Sequence, residues 1–286
     1  QTVDSIEQIL KSKNNVALST MRWTEDGQTS DTVGYTTSFV GIIFTIFIYF
    51  FIMMYGSMVM QSVVEEKTNR IVEVIISSVK PFDLMMGKII GVALTGVTQL
   101  LIWLAIAVVG LAATALLGIQ DVLNSGEMTQ SMSNDQIFGL LKGIMTINWG
   151  QVFVCFILYL AGGYLIFASL YAMFGSAAGD SQEAQQMVFP VTMILLGTFY
   201  AGLYAANNPE SMATFWLSII PLTSPVVMMV RTPFEVPLWQ IALSLTLLYA
   251  TAILLIKLSG KIYRTGILMY GKKVSIKELF RWLSYK

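Results

Sequence analysis

The chain alternates long apolar runs with short polar segments. Charge-free stretches lie between Asp31 and Glu65, Lys88 and Asp121, Lys142 and Asp180, Glu183 and Glu210, and Glu235 and Lys257. A helix needs about 20 mainly apolar residues to cross a bilayer. The pattern therefore predicts spans at about 36–60, 88–117, 150–176, 186–205 and 238–258. A sixth apolar run, "SMATFWLSIIPLTSPVVMMV" at 211–230, carries Pro221 and Pro225 at its centre, with Thr223 and Ser224 between them. Proline removes a backbone donor and breaks a helix. Broken backbone survives at membrane depth only when protein or water covers it. This run is expected to form a re-entrant pair of half-helices.

Basic residues point to the same topology. Lys and Arg favour the cytoplasmic side. The segment 61–88 holds Lys67, Arg70, Lys80 and Lys88, and the tail holds Lys261, Arg264, Lys272, Lys273, Lys277, Arg281 and Lys286. The segments 118–149 and 206–237 hold one each, Lys142 and Arg231. Five spans with a re-entrant element put both rich segments inside. They also put residues 1–35 outside, as the end of an extracellular domain. A further N-terminal span and most of that domain are expected before Gln1. The fold class is an all-α integral membrane protein with a transmembrane domain at 36–258 and a cytoplasmic amphipathic tail at 259–286. Within the tail, Ser275 is placed to cap a short interfacial helix, "VSIKELFRWL".

Composition narrows the chemistry. Of 286 residues, 55% are hydrophobic and 12% charged, against about 25% charged in ordinary soluble domains. Histidine is absent, which removes the usual general base and the commonest metal ligand. The one cysteine, Cys155, sits in an apolar run and reads as a small buried hydrophobe. No catalytic or metal-binding residue is assigned, and nothing points to nucleic acid. The predicted spans carry only Lys88 and Lys257, at inner ends where a long side chain can snorkel. Thr45, Thr95, Thr98, Gln99, Thr192 and Thr198 are the neutral oxygens available, for helix–helix bonds or for a polar path. This scarcity of charge favours a hydrophobic or amphipathic substrate, or a pore between two copies. Small residues at Gly91, Thr95 and Gly96 and at Gly162 and Gly163 suit close helix packing.

The densest mixed charge lies in "SVVEEKTNRIVEVIISSVKPFDLMMGK", 62–88. Ser62 and Glu65 have capping-box spacing, which predicts a new helix over 62–80. Val64, Ile71, Val74, Ile75 and Val79 give it an oily face, and Pro81 stops it. Two readings stand on the residues alone. One is an interfacial helix lying at the headgroups. The other is a docking helix, because mixed charge suits a protein groove better than anionic lipid.

The same segment resembles the permeases of type 2 ABC transporters, particularly the sodium-efflux-permease-like subfamily. The pattern is E-E-K-x-x-R-I-x-E-x-L-x-S-S-V-x-P-x-x-L-x-x-G-K-x-x-G. It is matched here by Glu65, Glu66, Lys67, Arg70, Ile71, Glu73, Ser77, Ser78, Val79, Pro81, Leu84, Gly87, Lys88 and Gly91, with Ile75 where Leu is common. A second patch, "GSAAGDSQEAQQMVFP" at 175–190, resembles the subfamily's short inner loop. The resemblance implies a permease subunit, not itself catalytic, of an ATP-driven exporter in the bacterial cell membrane. It implies that the 62–80 segment is a coupling helix docked on a separate ABC ATPase, and a second permease copy or a related permease. ATP and Mg would sit on the ATPase; this chain would bind no cofactor, and it has no G-x-x-x-x-G-K-[ST] loop. The expected contact face is Glu65, Glu66, Lys67, Asn69, Arg70 and Glu73, with Gln182, Glu183 and Gln185 as a second inner contact. Membrane lipid is the remaining partner. An ion- or proton-coupled secondary transporter is the alternative; it would need buried charges or inverted half-repeats, and neither is visible. A membrane-embedded enzyme would need a convergent polar constellation, also not visible.

Overall fold

The structure, a computed structural model, describes residues 31–71, 75, 78–116, 143–234 and 236–269. Residues 1–30 of the expected extracellular piece, Glu73, Val74, Lys142 and the tail helix lie outside the described residues, and 31–35 of that piece are the first residues of α1. Among the described residues every regular element is helical. Five helices are long and apolar enough to span a membrane. They are α1 (Asp31–Thr68), α2 (Pro81–Leu116), α3 (Trp149–Ala177), α4 (Ser181–Asn207) and, last among the described residues, α7 (Leu238–Gly266). Two short helices, α5 (Met212–Ile219) and α6 (Ser224–Arg231), fill the interval before α7.

Each of the five helices is longer than the span predicted for it. α1 has 38 residues, or ~57 Å at 1.5 Å per residue, while the hydrocarbon core is about 30 Å thick. The excess lies largely at the polar end. The expected helix start at Ser62 and Glu65 is not seen: α1 continues through both, and the amide of Asn69 still bonds the carbonyl of Glu65 at 3.0 Å. The reason is phase. Met60, Val63 and Val64 stay on the buried stripe of α1, so the chain gains nothing by breaking there. The predicted 62–80 helix is instead divided. Its first part belongs to α1, a turn follows at Asn69 and Arg70, and Ile71 and Ile75 are helical beyond it. Helical structure breaks at 78–80, ahead of Pro81 as expected, and Pro81 itself opens α2, at the position where a missing N–H costs nothing.

The ends of the helices fix their directions. The C-terminal ends of α1, α3 and α7 meet, joined through Lys67, Ser176 and Gly266. The N-terminal part of α2 meets the same end of α1 through Lys88 and Ser62. α4 starts four residues after α3 stops. So α1, α3 and α7 run parallel, and α2 and α4 run against them. α3 is the pillar: it packs on α1, α7, α4 and α6, and 61% of its most apolar stretch is buried, against 6% for α2. Phe44, Phe47 and Phe51 of α1 interlock with Phe156 and Tyr164 of α3. Cys155 is buried and free.

Between α4 and α7 the chain returns to the end it left. α6 lies within the bundle. A methyl group at Gly163, midway along α3, would sit 2.8 Å from the Pro225 ring at the start of α6. One at Gly41, near the start of α1, would sit 2.7 Å from the Val230 carbonyl at its end. Thr45 Oγ1 donates to the Val226 carbonyl at 3.1 Å. The prolines thus break the 211–230 run where expected, at 220–223. Of the small-residue patches, Gly162 and Gly163 are packed against Leu248 and Pro225, whereas Gly91 faces open space within this chain. Gly41→Ala is expected to push α6 off α1 and cost about 1–3 kcal/mol, while Gly91→Ala leaves stability unchanged. Thermal unfolding of the two variants in detergent measures the difference.

Candidate functional site

The charged end is built on the last two turns of α1. Ser62 and Glu66, one turn apart, share a face, and one ammonium serves both. Lys88 Nζ lies 2.6 Å from Glu66 Oε2 and donates to the Ser62 carbonyl at 2.8 Å and to its hydroxyl at 3.3 Å. Lys88 is 7% exposed and Glu66 27%. The residue expected to snorkel therefore binds α2 to α1.

Lys67 does not join the expected polar face. It continues the buried stripe of Met60, Val63 and Val64 at helical spacing and is 2% exposed. Its ammonium donates to the carbonyls of Ser176, at the end of α3, and Gly266, at the end of α7, at 2.7 and 2.8 Å. These carbonyls belong to the last turns of their helices, where intrahelical donors run out and the helix dipole is negative. Glu183 of α4 is near enough for its charge to act on Lys67.

Glu65, Asn69 and Arg70 are exposed. Arg70 has φ 56°, a left-handed conformation usually left to glycine or asparagine just beyond a helix. That conformation turns the chain sharply out of α1. Of the expected oily face, Val64 is buried within α1 and Ile75 is half-buried, while Ile71 and Val79 beyond the turn are 46% and 40% exposed; Phe82, 43% exposed, lies against Gly260 of α7. The result is a charged turn with apolar edges, held between α1 and α2.

The second patch opens α4. Asp180 Oδ1 accepts from the Glu183 amide at 2.7 Å, and Glu183 Oε2 accepts from the Gly179 amide at 2.6 Å. This reciprocal pair caps the helix, so Glu183 is held in place. Gln182 and Gln185 are exposed, and with Gln186 and Phe189 they line a shallow open depression. Sequence reasoning missed Ser62, Lys88, Ser176 and Gly266. Ser62 reads in the sequence as a cap and Lys88 as a snorkelling residue; the one-turn spacing of Ser62 and Glu66 is the available sign of a shared partner. Nothing local points to Ser176 or Gly266, which act through backbone carbonyls.

The neutral oxygens are mostly spent on helix bonds. Thr45 reaches α6, while Thr95, Thr98 and Thr198 bond carbonyls one turn back in their own helices. Thr192 bonds Val188 and the Tyr171 hydroxyl. Gln99 is exposed on α2.

Glu66→Lys would set two ammonium groups against each other. It is expected to lower the thermal midpoint by ~5 °C, from the loss of a charged hydrogen bond in a chain this long. Adding Lys88→Glu should recover part of the loss and not all, because the Ser62 carbonyl then faces a carboxylate. Thermal scans of the single and double variants test this.

Comparison with known proteins supplies the context. The chain is 27% identical over 256 residues to the uncharacterized protein YhaP of Bacillus subtilis (strain 168), covering 89% of this chain and 57% of that one. It is 25% identical over 240 residues to the uncharacterized protein MJ1024 of Methanocaldococcus jannaschii, covering 83% of this chain and 52% of that one. The chain thus spans about half the length of the curated relatives it matches. No solved structure matches it. The family model of the ABC-2 family transporter protein matches residues 2–261, and the five apolar helices agree with a multi-pass membrane component. The chain belongs to the ABC-2 transporter family, whose members are membrane transport components of ABC systems.

Proposed function

We propose that this chain is the permease of an ATP-driven exporter, coupled to a separate ABC ATPase through the charged turn that follows α1. The observation that carries this reading is the mounting of Glu65, Asn69 and Arg70. They are exposed, yet they sit on a turn anchored to α2 by the Glu66–Lys88–Ser62 bonds. A face fixed in this way can receive a push without absorbing it. Lys67 and Glu66 drop out of the contact face, since both are engaged within the chain. Gln182 and Gln185 remain candidates for a second contact, and Glu183 holds that patch in shape.

The sidedness follows. With the charged turn in the cytoplasm, α7 ends there as well, and α5 and α6 dip into the bilayer from the far side and return. The packing of Pro225 against Gly163 supports that re-entrant path. A second permease copy or a related permease completes the transport unit, with ATP and Mg on the ATPase pair. The match of Glu65 through Gly91 to the sodium-efflux-permease-like pattern supports that subfamily. Charged residues of the spans cluster towards their ends, which favours an apolar or amphipathic substrate over an ion-coupled cycle that needs a carboxylate at membrane depth.

Reversing Glu65 and Arg70 together, Glu65→Lys with Arg70→Glu, should weaken co-purification with the ABC ATPase. Alternatively, the complex should stay intact while ATP hydrolysis no longer drives transport. Pull-down and ATPase assays on the complex in lipid vesicles read both. Unchanged binding together with unchanged transport rules the docking assignment out.

A further inference from the structure

Lys67 is a buried cation with no hydrogen-bonded carboxylate, and neither the docking face nor the transport path uses it. Its two acceptors are far away in sequence, 109 and 199 residues on. They belong to two different helices, and the bonds are short. We infer that Lys67 is a positioning residue, a joint that makes the charged ends of α1, α3 and α7 move as one body when the charged turn is displaced. The inference rests on the coupling reading above and deepens it by naming the route from the turn into the bundle.

The geometry gives the joint its stiffness. Lys67 lies one turn before Arg70, so displacement of the turn reaches it directly. At 2% exposure there is little water to exchange for either carbonyl. The Ser176 and Gly266 carbonyls lie in the last helical turns, where carbonyls have acceptor capacity to spare; Gly266 also accepts from the Met269 amide at 3.2 Å, and the ammonium takes its second lone pair while bonding Ser176. The two helix ends also touch each other. A methyl group on Gly266 would lie 3.0 Å from both the carbonyl and the hydroxyl oxygen of Ser176. Without the ammonium, a push on the turn would still reach α2 through Glu66 and Lys88, but among the described residues no other charged bond ties α1 to α7 at this end.

The test uses the complete permease–ATPase complex in lipid nanodiscs, in a Cys155→Ala background. An environment-sensitive fluorophore is attached at either Gln61→Cys on α1 or Lys261→Cys on α7, both exposed positions. The spectral change between nucleotide-free and ATP–vanadate states is recorded. In the parent complex both sites should respond. In Lys67→Met the α1 site should still respond, while the α7 response falls about fivefold, the low end for coupling between sites. Gly266→Ala keeps the ammonium but pries α3 from α7, and it should reduce the α7 response as well. It decides the matter if Lys67→Met does not fold. An undiminished α7 response in the folded variants overturns the joint and leaves the coupling reading standing. No response at either site in the parent, with ATPase bound and hydrolysing, overturns the coupling reading and the joint with it.

Discussion

A lysine ammonium that meets almost no water must be surrounded by acceptors, and this constraint organises the charged end of the bundle. Taking an unpaired ammonium out of water costs several kcal/mol even after relaxation. Here no carboxylate answers Lys67 by a direct bond. Two helix C-termini do, each carrying about half a negative charge in unsatisfied carbonyls. That solution works only if α3 and α7 stop at the same level and beside the end of α1. The parallel course of these three helices, and the opposite course of α2 and α4, follow from it. An odd number of crossings between the end of α1 and the end of α7 would separate them. The re-entrant course proposed for α5 and α6 keeps them together.

The opposite end meets the same constraint differently. A helix broken at Pro221 and Pro225 leaves backbone groups that lipid cannot satisfy. Side chains supply the missing partners. Arg231, 9% exposed, donates from Nε to the Pro209 carbonyl at 3.2 Å and from Nη1 to Ser218 Oγ at 2.7 Å. Ser244 of α7 donates to the Ser218 carbonyl at 2.7 Å, and Ser38 of α1 to the Ala206 carbonyl at 3.1 Å. With Thr45 on Val226, these bonds stitch the hairpin to α1, α4 and α7. At both ends a buried cation is paired with neutral oxygens. Breaking either set strands a charge, and an uncompensated buried charge costs more than a lost neutral bond.

The spans were legible because hydrocarbon excludes charge, and five long runs lack it. Their boundaries were less legible, because Glu and Lys end the apolar run without ending the helix; both are good helix formers. That is why α1 extends to Thr68 and α2 begins at Pro81. The break after α1 left no sequence sign: Arg at a left-handed position is unusual, and its conformation comes from the structure around it. The inward turn of Lys67 was legible in principle, since Val63, Val64 and Lys67 fall on one stripe. Reading charge as surface obscured it. The partners of Lys67 were not legible, because a backbone carbonyl has no letter.

Neighbouring residues on α1 thereby hold different parts of the molecule. Glu66 and Lys67 point about 100° apart around the helix axis, the first towards α2, the second towards α3 and α7. The two attachments differ in kind. Glu66 is 27% exposed, so its pair with Lys88 is open to screening by salt, while buried Met85 and Ile89 and the Tyr164 hydroxyl, donating to the Ile89 carbonyl at 2.8 Å, hold the same end of α2. Lys67 is enclosed, and α3 and α7 add tyrosine bonds of their own, Tyr249 to the Leu158 carbonyl at 3.0 Å and Tyr159 to the Ile241 carbonyl at 3.4 Å. The charged turn is therefore tied to α2 by a partly exposed ion pair and to α3 and α7 by an enclosed ammonium. In the joint inferred above, the block of α1, α3 and α7 follows the turn as a unit, with α2 carried by the Glu66–Lys88 pair.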